Sequence, residues 1–278
     1  MARIIVTGAS TGIGAATALH LATAGHDVVA TVRSDAAAAT LNEAADAHGT
    51  SLTIRHLEVT DHGAVQALFT ELEAERPLDV LVHNAGAGQV GTLEQLDLAE
   101  LRDAMEVNFF GAAACVKAAF GPMRQRGRGH IVVVTSVGGA VGQPFNDAYC
   151  AAKFAVEGLL ESLHPVAKAH GVSVTVVEPG PVATEFIANV KGRAHFAGGD
   201  PTDPFGPQRD AYLRRSAATF ANAQSSAEVA EVIAKVLTES DPAFRVQTSE
   251  AATAFVATKL SDLDGRQVTS MTAGWIAG

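Results

Sequence analysis

The chain has 278 residues, of which 47% are hydrophobic and 18% are charged, a composition typical of compact globular proteins and not of disordered ones. This length can bury a full hydrophobic core, either in one large α/β domain or in two small ones. The formal net charge is −10 and no dense Lys/Arg cluster is present, which argues against nucleic acid or an anionic membrane as the main partner.

Targeting and metal-binding signals are missing from the sequence. The first residues, MARIIVTGAS, contain a short apolar run without a signal-peptide cleavage pattern, and no stretch approaches the ~20 apolar residues of a membrane span. Cys115 and Cys150 match no metal or redox spacing, and the ten histidines match none either. We therefore expect a cytoplasmic protein with two free buried thiols, no membrane span and no metal.

Runs rich in Val and Ile alternate with Ala-rich segments of helical periodicity along most of the chain. Repeated β-then-α units with strands that are apolar on both faces predict a parallel sheet covered by helices on each side. No repeat or linker separates a second domain, so residues 1–278 are expected to form one. The predicted strands are 3–7, 27–32, 51–57, 79–83, 130–136, 172–178 and 244–248, and the predicted helices include 12–24, 61–75, 98–127, 149–170 and 225–237.

The first strand runs directly into a glycine-containing loop, TGASTGIG, at the start of a predicted helix. Gly8, Gly12 and Gly14 have no side chains to keep a phosphate from the backbone amides of the helix N-terminus. The spacing, G-x-x-x-G-x-G, differs from the general G-x-G-x-x-G fingerprint. An ordinary glycine turn is the alternative, although the flanking strand and helix favour a dinucleotide site.

The residues at the end of the second strand indicate which dinucleotide is bound. About 20 residues after the glycine loop, an acid would bind a ribose 2′-hydroxyl and an arginine would bind a 2′-phosphate. Arg33 stands there, and Thr31 and Val32 are not carboxylates. This favours NADP(H) over NAD(H), although Asp35 lies close in sequence. A solvated arginine at a strand end is the alternative.

Tyr149 and Lys153 are four residues apart in a predicted helix, which places both side chains on one face, one turn apart. A free tyrosine has a pKa near ~10 and is a poor acid/base at neutral pH. A neighbouring ammonium, together with the positive nicotinamide of an oxidised cofactor, would stabilise the phenolate and lower that pKa. Ser136 follows a buried-type strand and lies 13 residues before Tyr149. The alternatives are ordinary helix decoration for the pair and a turn residue for Ser136.

Five further motifs follow the glycine loop, and together they resemble the short-chain dehydrogenase/reductase family over about residues 3–190. The resemblance implies a Rossmann-type doubly wound sheet of about seven strands in a single domain. Residues 136–163 with 28–35 look most like the 17β-hydroxysteroid dehydrogenase type 1 and retinol dehydrogenase members. The motifs are HNAG (83–86), VNFFG (107–111), TSVGG (135–139), YCAAK (149–153) and EPGPVATEF (178–186).

Carried over by motif, the resemblance implies four catalytic residues. Tyr149 would be the acid/base, Lys153 would lower its pKa, and the Ser136 hydroxyl would hold the substrate oxygen. Asn108 would hold a water that links Lys153 to solvent, unless it only satisfies backbone groups at a helix kink. The cofactor would touch Tyr149, Lys153 and residues of several loops, namely Gly8, Ser10, Thr11, Gly12, Ile13, Gly14, Arg33, Glu58, Val59, Asn84, Ala85, Gly86, Pro179, Gly180, Val182 and Thr184.

The substrate side is predicted from apolar residues near Ser136 and from a segment where the β/α pattern breaks. Glycines and prolines crowd residues 191–222, too irregularly for a core layer, so 191–223 is predicted to be a substrate lid. Ser226 is predicted to cap the next helix, and the tail 249–278 has no assigned role. The candidate substrate residues are Ser136, Gly138, Val141, Pro144, Phe145, Tyr149, Phe186 and Val190, with His195, Phe196 and Phe205 as further lid candidates.

An apolar cleft with few charges suits a steroid, a retinoid or another bulky carbonyl compound. The leading expectation is an oxidoreductase that interconverts a hydrophobic ketone and its secondary alcohol. The alternatives are a reductase of a smaller ketone or acyl substrate and a catalytically idle dinucleotide-binding sensor. Family members commonly pair long helices, so a homodimer or homotetramer is expected through the helices predicted over 98–127 and 149–170.

Overall fold

The computed structural model describes residues 1–185, 190, 203–262, 264 and 266–275. Their strands form a seven-stranded parallel sheet in the order β3-β2-β1-β4-β5-β6-β7. The chain order therefore reverses between β1 and β4, which is where parallel sheets open a crevice for ligands. The strands are β1 (Arg3–Thr7), β2 (Asp27–Val32), β3 (Thr53–His56), β4 (Val80–His83), β5 (Gly129–Val134), β6 (Val172–Glu178) and β7 (Arg245–Gln247).

Helices cover both faces of the sheet, which confirms the predicted fold class. One core lies between the sheet and α3, α5 and α6, and the other lies between the sheet and α1, α2 and α8. The helices are α1 (Gly12–Thr23), α2 (Asp35–Ala47), α3 (His62–Glu75), α4 (Leu98–Met105), α5 (Gly111–Arg126), α6 (Asp147–Ala169), α7 (Gly206–Phe220), α8 (Ser226–Thr238), α9 (Glu250–Leu260) and α10 (Arg266–Ala273).

The strands are buried because their Val and Ile residues serve both cores. Successive side chains point to opposite faces, so Ile5 and Leu81 pack towards α3, α5 and α6. Their neighbours Ile4 and Val82 pack towards α1 and α8. All four side chains are fully buried. Because helices cover both faces of this parallel sheet, its strands must be apolar on both faces.

Local structure differs from the predictions in several places. The strand predicted over 51–57 is present but shorter, Thr53–His56. The single helix predicted over 98–127 is divided into α4 and α5 by a π turn. The irregular segment predicted over 191–222 contains α7, which begins at Gly206 with Pro207 in its first turn, where the missing N–H removes no helical hydrogen bond. The cap of α8 is Ser225, not Ser226, because only Ser225 has Glu228 three residues later to complete the reciprocal cap.

The tail 249–278 is helical where it is described, as α9 and α10. Phe186, His195 and Phe196, which were predicted to contact substrate, lie outside the described residues. No helix in the described part of the chain is long and apolar enough to cross a membrane.

Candidate active site

A cavity of about 1440 Å³ opens at the carboxyl ends of the central strands. Loops after β1, β2, β4, β5 and β6 contribute to its wall, and α7, α9 and Trp275 close another part of it. Of the residues predicted to touch the cofactor, every one except Gly14 lines this cavity. Segments that are more than a hundred residues apart in the chain therefore meet in one site.

The glycine loop can accept a phosphate group. Gly8 and Gly12 have positive φ angles of 67° and 60°, a conformation that other residues rarely adopt. A Cβ at Gly14 would lie 2.2 Å from the carbonyl oxygen of Gly8, so this glycine lets α1 pack against the loop. Thr11 caps α1 without a side-chain hydrogen bond, and no acidic residue occupies the first turn. The N–H groups at this helix end therefore favour an anion.

Arg33 lines the cavity at the end of β2, with its side chain 77% exposed. Glu58 was predicted to contact adenine, and its carboxylate lies 3.7 Å from the Arg33 guanidinium. Asp35 instead approaches His56, at 3.2 Å, and is not among the cavity-lining residues. If Arg33 binds a 2′-phosphate, the carboxylate next to that phosphate would therefore be that of Glu58 and not that of Asp35.

The HNAG segment is fixed to β1 by its backbone. The Thr7 hydroxyl accepts hydrogen bonds from the N–H groups of Asn84 and Ala85, at 3.1 and 3.2 Å, and the Asn84 amide donates to the Gly8 carbonyl at 3.0 Å. His83 is buried, with its Nδ1 atom 3.0 Å from the Thr7 hydroxyl. Burial and then the Lys153 charge lower the pKa of His83 to about 3, so it is neutral.

Ser136, Tyr149 and Lys153 meet on the cavity wall. Ser136 follows β5, and its hydroxyl forms hydrogen bonds with the Tyr149 hydroxyl and the Gly138 N–H. The Lys153 Nζ atom lies 5.8 Å from the centre of the Tyr149 ring and donates to the Val134 carbonyl at 3.3 Å. Gly138 permits this packing, since a Cβ there would lie 3.3 Å from the Tyr149 ring.

Burial is the largest influence on the pKa values of Tyr149 and Lys153. It raises the pKa of the Tyr149 phenol above its ordinary value, while the hydrogen bond with Ser136 acts in the opposite direction. With the protein's own groups alone the pKa of Tyr149 therefore shifts upwards, whereas the predicted lowering involves both the Lys153 ammonium and the positive charge of the oxidised cofactor. Burial also lowers the pKa of Lys153 to about 8, opposed by the charge of Glu157. The protein thus holds a protonated phenol beside a buried ammonium.

Asn108 lies behind the cavity wall, in a five-residue π turn (Glu106–Phe110) between α4 and α5. Its amide donates to the carbonyls of Ala87 and Ala104, at 2.9 and 3.1 Å, and accepts from the Ala87 N–H at 3.1 Å. A Cβ at Gly86 would approach both the Asn108 oxygen, at 2.9 Å, and Lys153 Nζ, at 3.4 Å. Asn108 therefore satisfies backbone groups and also lies close to Lys153.

The predicted substrate residues divide into two sets. Ser136, Tyr149 and Val190 line the cavity, whereas Gly138, Val141, Pro144 and Phe145 are not part of its wall. Val141 is fully buried against Val137, Ala252 and Val256. Phe145 packs on the Tyr212 ring, with the ring centres 5.5 Å apart. These buried side chains support the wall from behind.

Another part of the wall is formed by α7, α9 and Trp275 and is here called the α7–α9 wall. Helix α7 lies inside the segment 191–223 that was predicted to be a substrate lid, but no residue of the α7–α9 wall was predicted individually, because no short motif marks these residues. Asn146, also on the cavity wall, donates to the Tyr212 hydroxyl at 2.7 Å and so connects α7 to the start of α6. The α7–α9 wall consists of Tyr212, Leu213, Arg215, Ser216, Ala217, Thr219, Phe220, Ala251, Ala252, Phe255 and Trp275.

Comparison with protein families identifies the chain. A family model described as short chain dehydrogenase matches residues 2–194. The chain belongs to this family. The resemblance predicted from the motifs is therefore confirmed, and the protein is an oxidoreductase that acts on alcohol and ketone groups.

Individual proteins agree with this family membership. The chain is 42% identical over 274 residues to retinol dehydrogenase 8 of Bos taurus, covering 94% of this chain and 86% of that protein. It is 38% identical over 277 residues to 17-beta-hydroxysteroid dehydrogenase type 1 of Homo sapiens, covering 96% and 84%. A short-chain dehydrogenase/reductase structure from Burkholderia phymatum in complex with NAD is 26% identical, with a TM-score of 0.81 over 96% of this chain and 95% of that one.

Proposed function

We propose that the protein is an NADP(H)-preferring oxidoreductase that interconverts a hydrophobic ketone, of steroid or retinoid type, with its secondary alcohol. The observation that supports this proposal is a single cavity whose wall includes the glycine loop, Tyr149 with Lys153, and the α7–α9 wall. Its volume of about 1440 Å³ exceeds the ~300–1,000 Å³ of ordinary ligand sites. The cavity therefore has room for a dinucleotide together with a bulky substrate.

The chain's own residues would handle the proton. When bound, the nicotinamide supplies or accepts the hydride. A ketone that gains a hydride becomes an alkoxide and needs a proton donor within hydrogen-bond reach. Tyr149 would donate that proton while Ser136 holds the substrate oxygen, and the Lys153 ammonium would stabilise the resulting phenolate. Asn108 would position a water that returns a proton to Lys153.

A panel of ketones tests the substrate proposal. We expect NADPH oxidation with steroid and retinoid ketones to be faster than with short acyl or simple ketones, because the α7–α9 wall contributes Leu213, Phe220, Phe255 and Trp275. Greater activity on the small ketones would favour the alternative substrate class. Binding of NADPH without reduction of any compound would favour a dinucleotide sensor, which has no need of Ser136, Tyr149 and Lys153 together.

Arg33→Ala is expected to weaken NADPH binding about tenfold and to leave NADH binding nearly unchanged. A charge-assisted hydrogen bond contributes ~1.5–3 kcal/mol, and the exposure of Arg33 places the effect at the lower end. The measurement is the Michaelis constant for each cofactor. Glu58→Gln is the matched variant and should improve NADPH binding, because it removes the carboxylate beside Arg33. Equal effects of Arg33→Ala on the two cofactors would exclude the 2′-phosphate contact.

A second candidate substrate class is a ketone or alcohol that also carries a carboxylate. Arg215 is the one charged side chain of the α7–α9 wall as the structure describes it. Its guanidinium lies 4.3 Å from the centre of the Trp275 ring, and no carboxylate of the described residues forms an ion pair with it. An aromatic ring with a cation beside it suits an apolar molecule with an acidic end.

Arg215→Gln is expected to lower kcat/KM for a keto acid about tenfold and to leave the value for its methyl ester unchanged. The neighbouring Arg214→Gln is the matched control, because Arg214 is exposed and is not part of the cavity wall. The comparison is made with one ring ketone supplied as acid and as ester. Equal loss for acid and ester would show that Arg215 recognises no carboxylate.

We also propose that the protein self-associates through α5 and α6. Phe154, Leu159 and Val166 of α6 are 37%, 38% and 53% exposed, although they are large and apolar. Phe110, just before α5, is 46% exposed. Light scattering on the full chain distinguishes dimer from tetramer, and a monomer would contradict the proposal.

A further inference from the structure

Glu157 is a buried carboxylate close to the candidate active site, and the mechanism above does not use it. It follows Tyr149 by eight residues and Lys153 by four on α6, so the three side chains share one face of the helix. Only 2% of Glu157 is exposed. Charged residues are almost never buried to this extent unless they are paired, so its partners indicate its role.

One oxygen of Glu157 is in contact with the loop that carries Ser136. Its Oε1 atom accepts a hydrogen bond from the Thr135 hydroxyl at 2.9 Å, and Thr135 immediately precedes Ser136. A Cβ at Gly139 would lie 2.2 Å from the same oxygen, so the carboxylate also packs directly against Gly139 of this loop. Glu157 therefore ties the serine loop to the helix that carries Tyr149 and Lys153.

The other oxygen of Glu157 forms an ion pair with Arg245 of β7. The same guanidinium contacts Glu178 of β6 and Glu161 of α6, each at 2.8 Å. Glu178 is fully buried, whereas the side chain of Glu161 is 65% exposed. Two buried carboxylates thus share one arginine, and their mutual repulsion is only partly relieved.

Two titratable groups that interact with Lys153 lie on different elements. Glu157 acts on it from α6, and His83 is near it at the end of β4 but is neutral. The Glu157 charge opposes the burial that lowers the pKa of Lys153 to about 8. Burial and the Glu178 charge raise the pKa of Glu157 itself to about 7, while Arg245 and Thr135 act in the opposite direction. Glu157 is thus the negative charge that favours the ammonium form of Lys153.

We propose that Glu157 is a positioning residue for the reaction, which holds the Ser136 loop against α6 and, in its ionised form, favours the ammonium form of Lys153. The inference rests on the proposed roles of Lys153 and Tyr149. It assigns no contact between Glu157 and substrate or cofactor, because Glu157 is not among the residues that line the cavity.

Glu157→Gln tests the electrostatic half of the proposal, since the amide keeps the shape but carries no charge. Without that charge the pKa of Lys153 falls below about 8, so Lys153 loses its proton at lower pH. The alkaline limb of the pH profile of kcat/KM should move about one pH unit lower, which is about tenfold at a fixed pH on that limb. A purely structural role would lower activity at every pH and leave the profile in place.

Glu161→Gln is the matched control, because it removes an exposed partner of Arg245 that is one turn further from Lys153. Its alkaline limb should stay within ~0.3 pH unit of the wild type. A profile displaced as far in Glu161→Gln as in Glu157→Gln would overturn the proposal, and so would an unmoved profile in Glu157→Gln.

A titration that needs no substrate separates this inference from the proposed function. In NMR spectra of protein labelled with ¹³Cε-lysine, the Lys153 signal is identified as the one that is missing from Lys153→Met. The pH at the midpoint of its titration should be lower in Glu157→Gln than in the wild type. Should Glu157→Gln not fold, Arg245→Gln must move the same midpoint downwards, because Glu157 without its guanidinium gains a proton. Unchanged midpoints overturn the proposal even if no ketone is reduced. Lowered midpoints support it regardless of the natural substrate.

Discussion

Tyr149→Phe is expected to lower kcat for ketone reduction about 10³-fold while NADPH still binds. Phenylalanine keeps the ring beside Gly138 and removes the hydroxyl that is hydrogen-bonded to Ser136. Proton transfer by a positioned group typically contributes ~10²–10⁴-fold. Steady-state NADPH oxidation gives kcat, and quenching or enhancement of NADPH fluorescence gives the binding constant.

Tyr212→Phe is the natural comparison for this variant, since Tyr212 also lines the cavity and its hydroxyl accepts from Asn146. It lies on α7, away from Ser136 and Lys153 in the chain, and its loss should lower kcat by less than about tenfold. If Tyr149→Phe retained turnover within about tenfold of the wild type, Tyr149 would not be the proton donor.

Gly14→Ala is expected to destabilise the protein and abolish dinucleotide binding. The added Cβ would lie 2.2 Å from the Gly8 carbonyl oxygen and 2.5 Å from the Asn84 amide, so α1 and the glycine loop must separate. Overpacking of this kind costs ~1–3 kcal/mol or more, and each kcal/mol lowers the Tm by ~2–4 °C in a protein of about this size. Thermal unfolding and NADPH fluorescence titration measure the two effects.

Gly158→Ala is the control for this substitution. Gly158 lies inside α6, and a Cβ there would meet no atom within 4 Å. Alanine is favoured over glycine in a helix by ~1 kcal/mol, so the Tm should be unchanged or slightly higher. Equal Tm changes in Gly14→Ala and Gly158→Ala would contradict the steric explanation.

The sheet was predictable because its strands are short apolar runs that face two cores at once. Ile4 and Ile5 show this directly, since adjacent residues pack into different cores. The motif residues were predicted as a set from the family resemblance, and parallel strands bring their carboxyl ends to one edge. Arg33, Ser136 and Thr184 therefore reach the same cavity although each follows a different strand.

Other features depended on tertiary contacts that no local pattern records. Helix α7 was not predicted because the glycines and prolines around it obscure its helical periodicity in the sequence. The contact between Tyr212 of α7 and Phe145 is a tertiary contact that the sequence does not show. The rise that burial causes in the pKa of Tyr149 was not predicted, because the spacing to Lys153 is visible in sequence and burial is not. The ion pair of Arg33 with Glu58 joins the ends of two neighbouring strands, and only their pairing in the sheet brings these residues together.

Transfer of deuterium from NADPH tests the central claim most directly. NADPH deuterated at C4 of the nicotinamide would be incubated with the protein and a steroid or retinoid ketone, and the product would be analysed by mass spectrometry. We predict one deuterium on the carbinol carbon with the wild type and deuterium transfer about 10³-fold slower with Tyr149→Phe. NADPH that binds to the wild type but transfers no deuterium to any ketone of the panel would contradict the account.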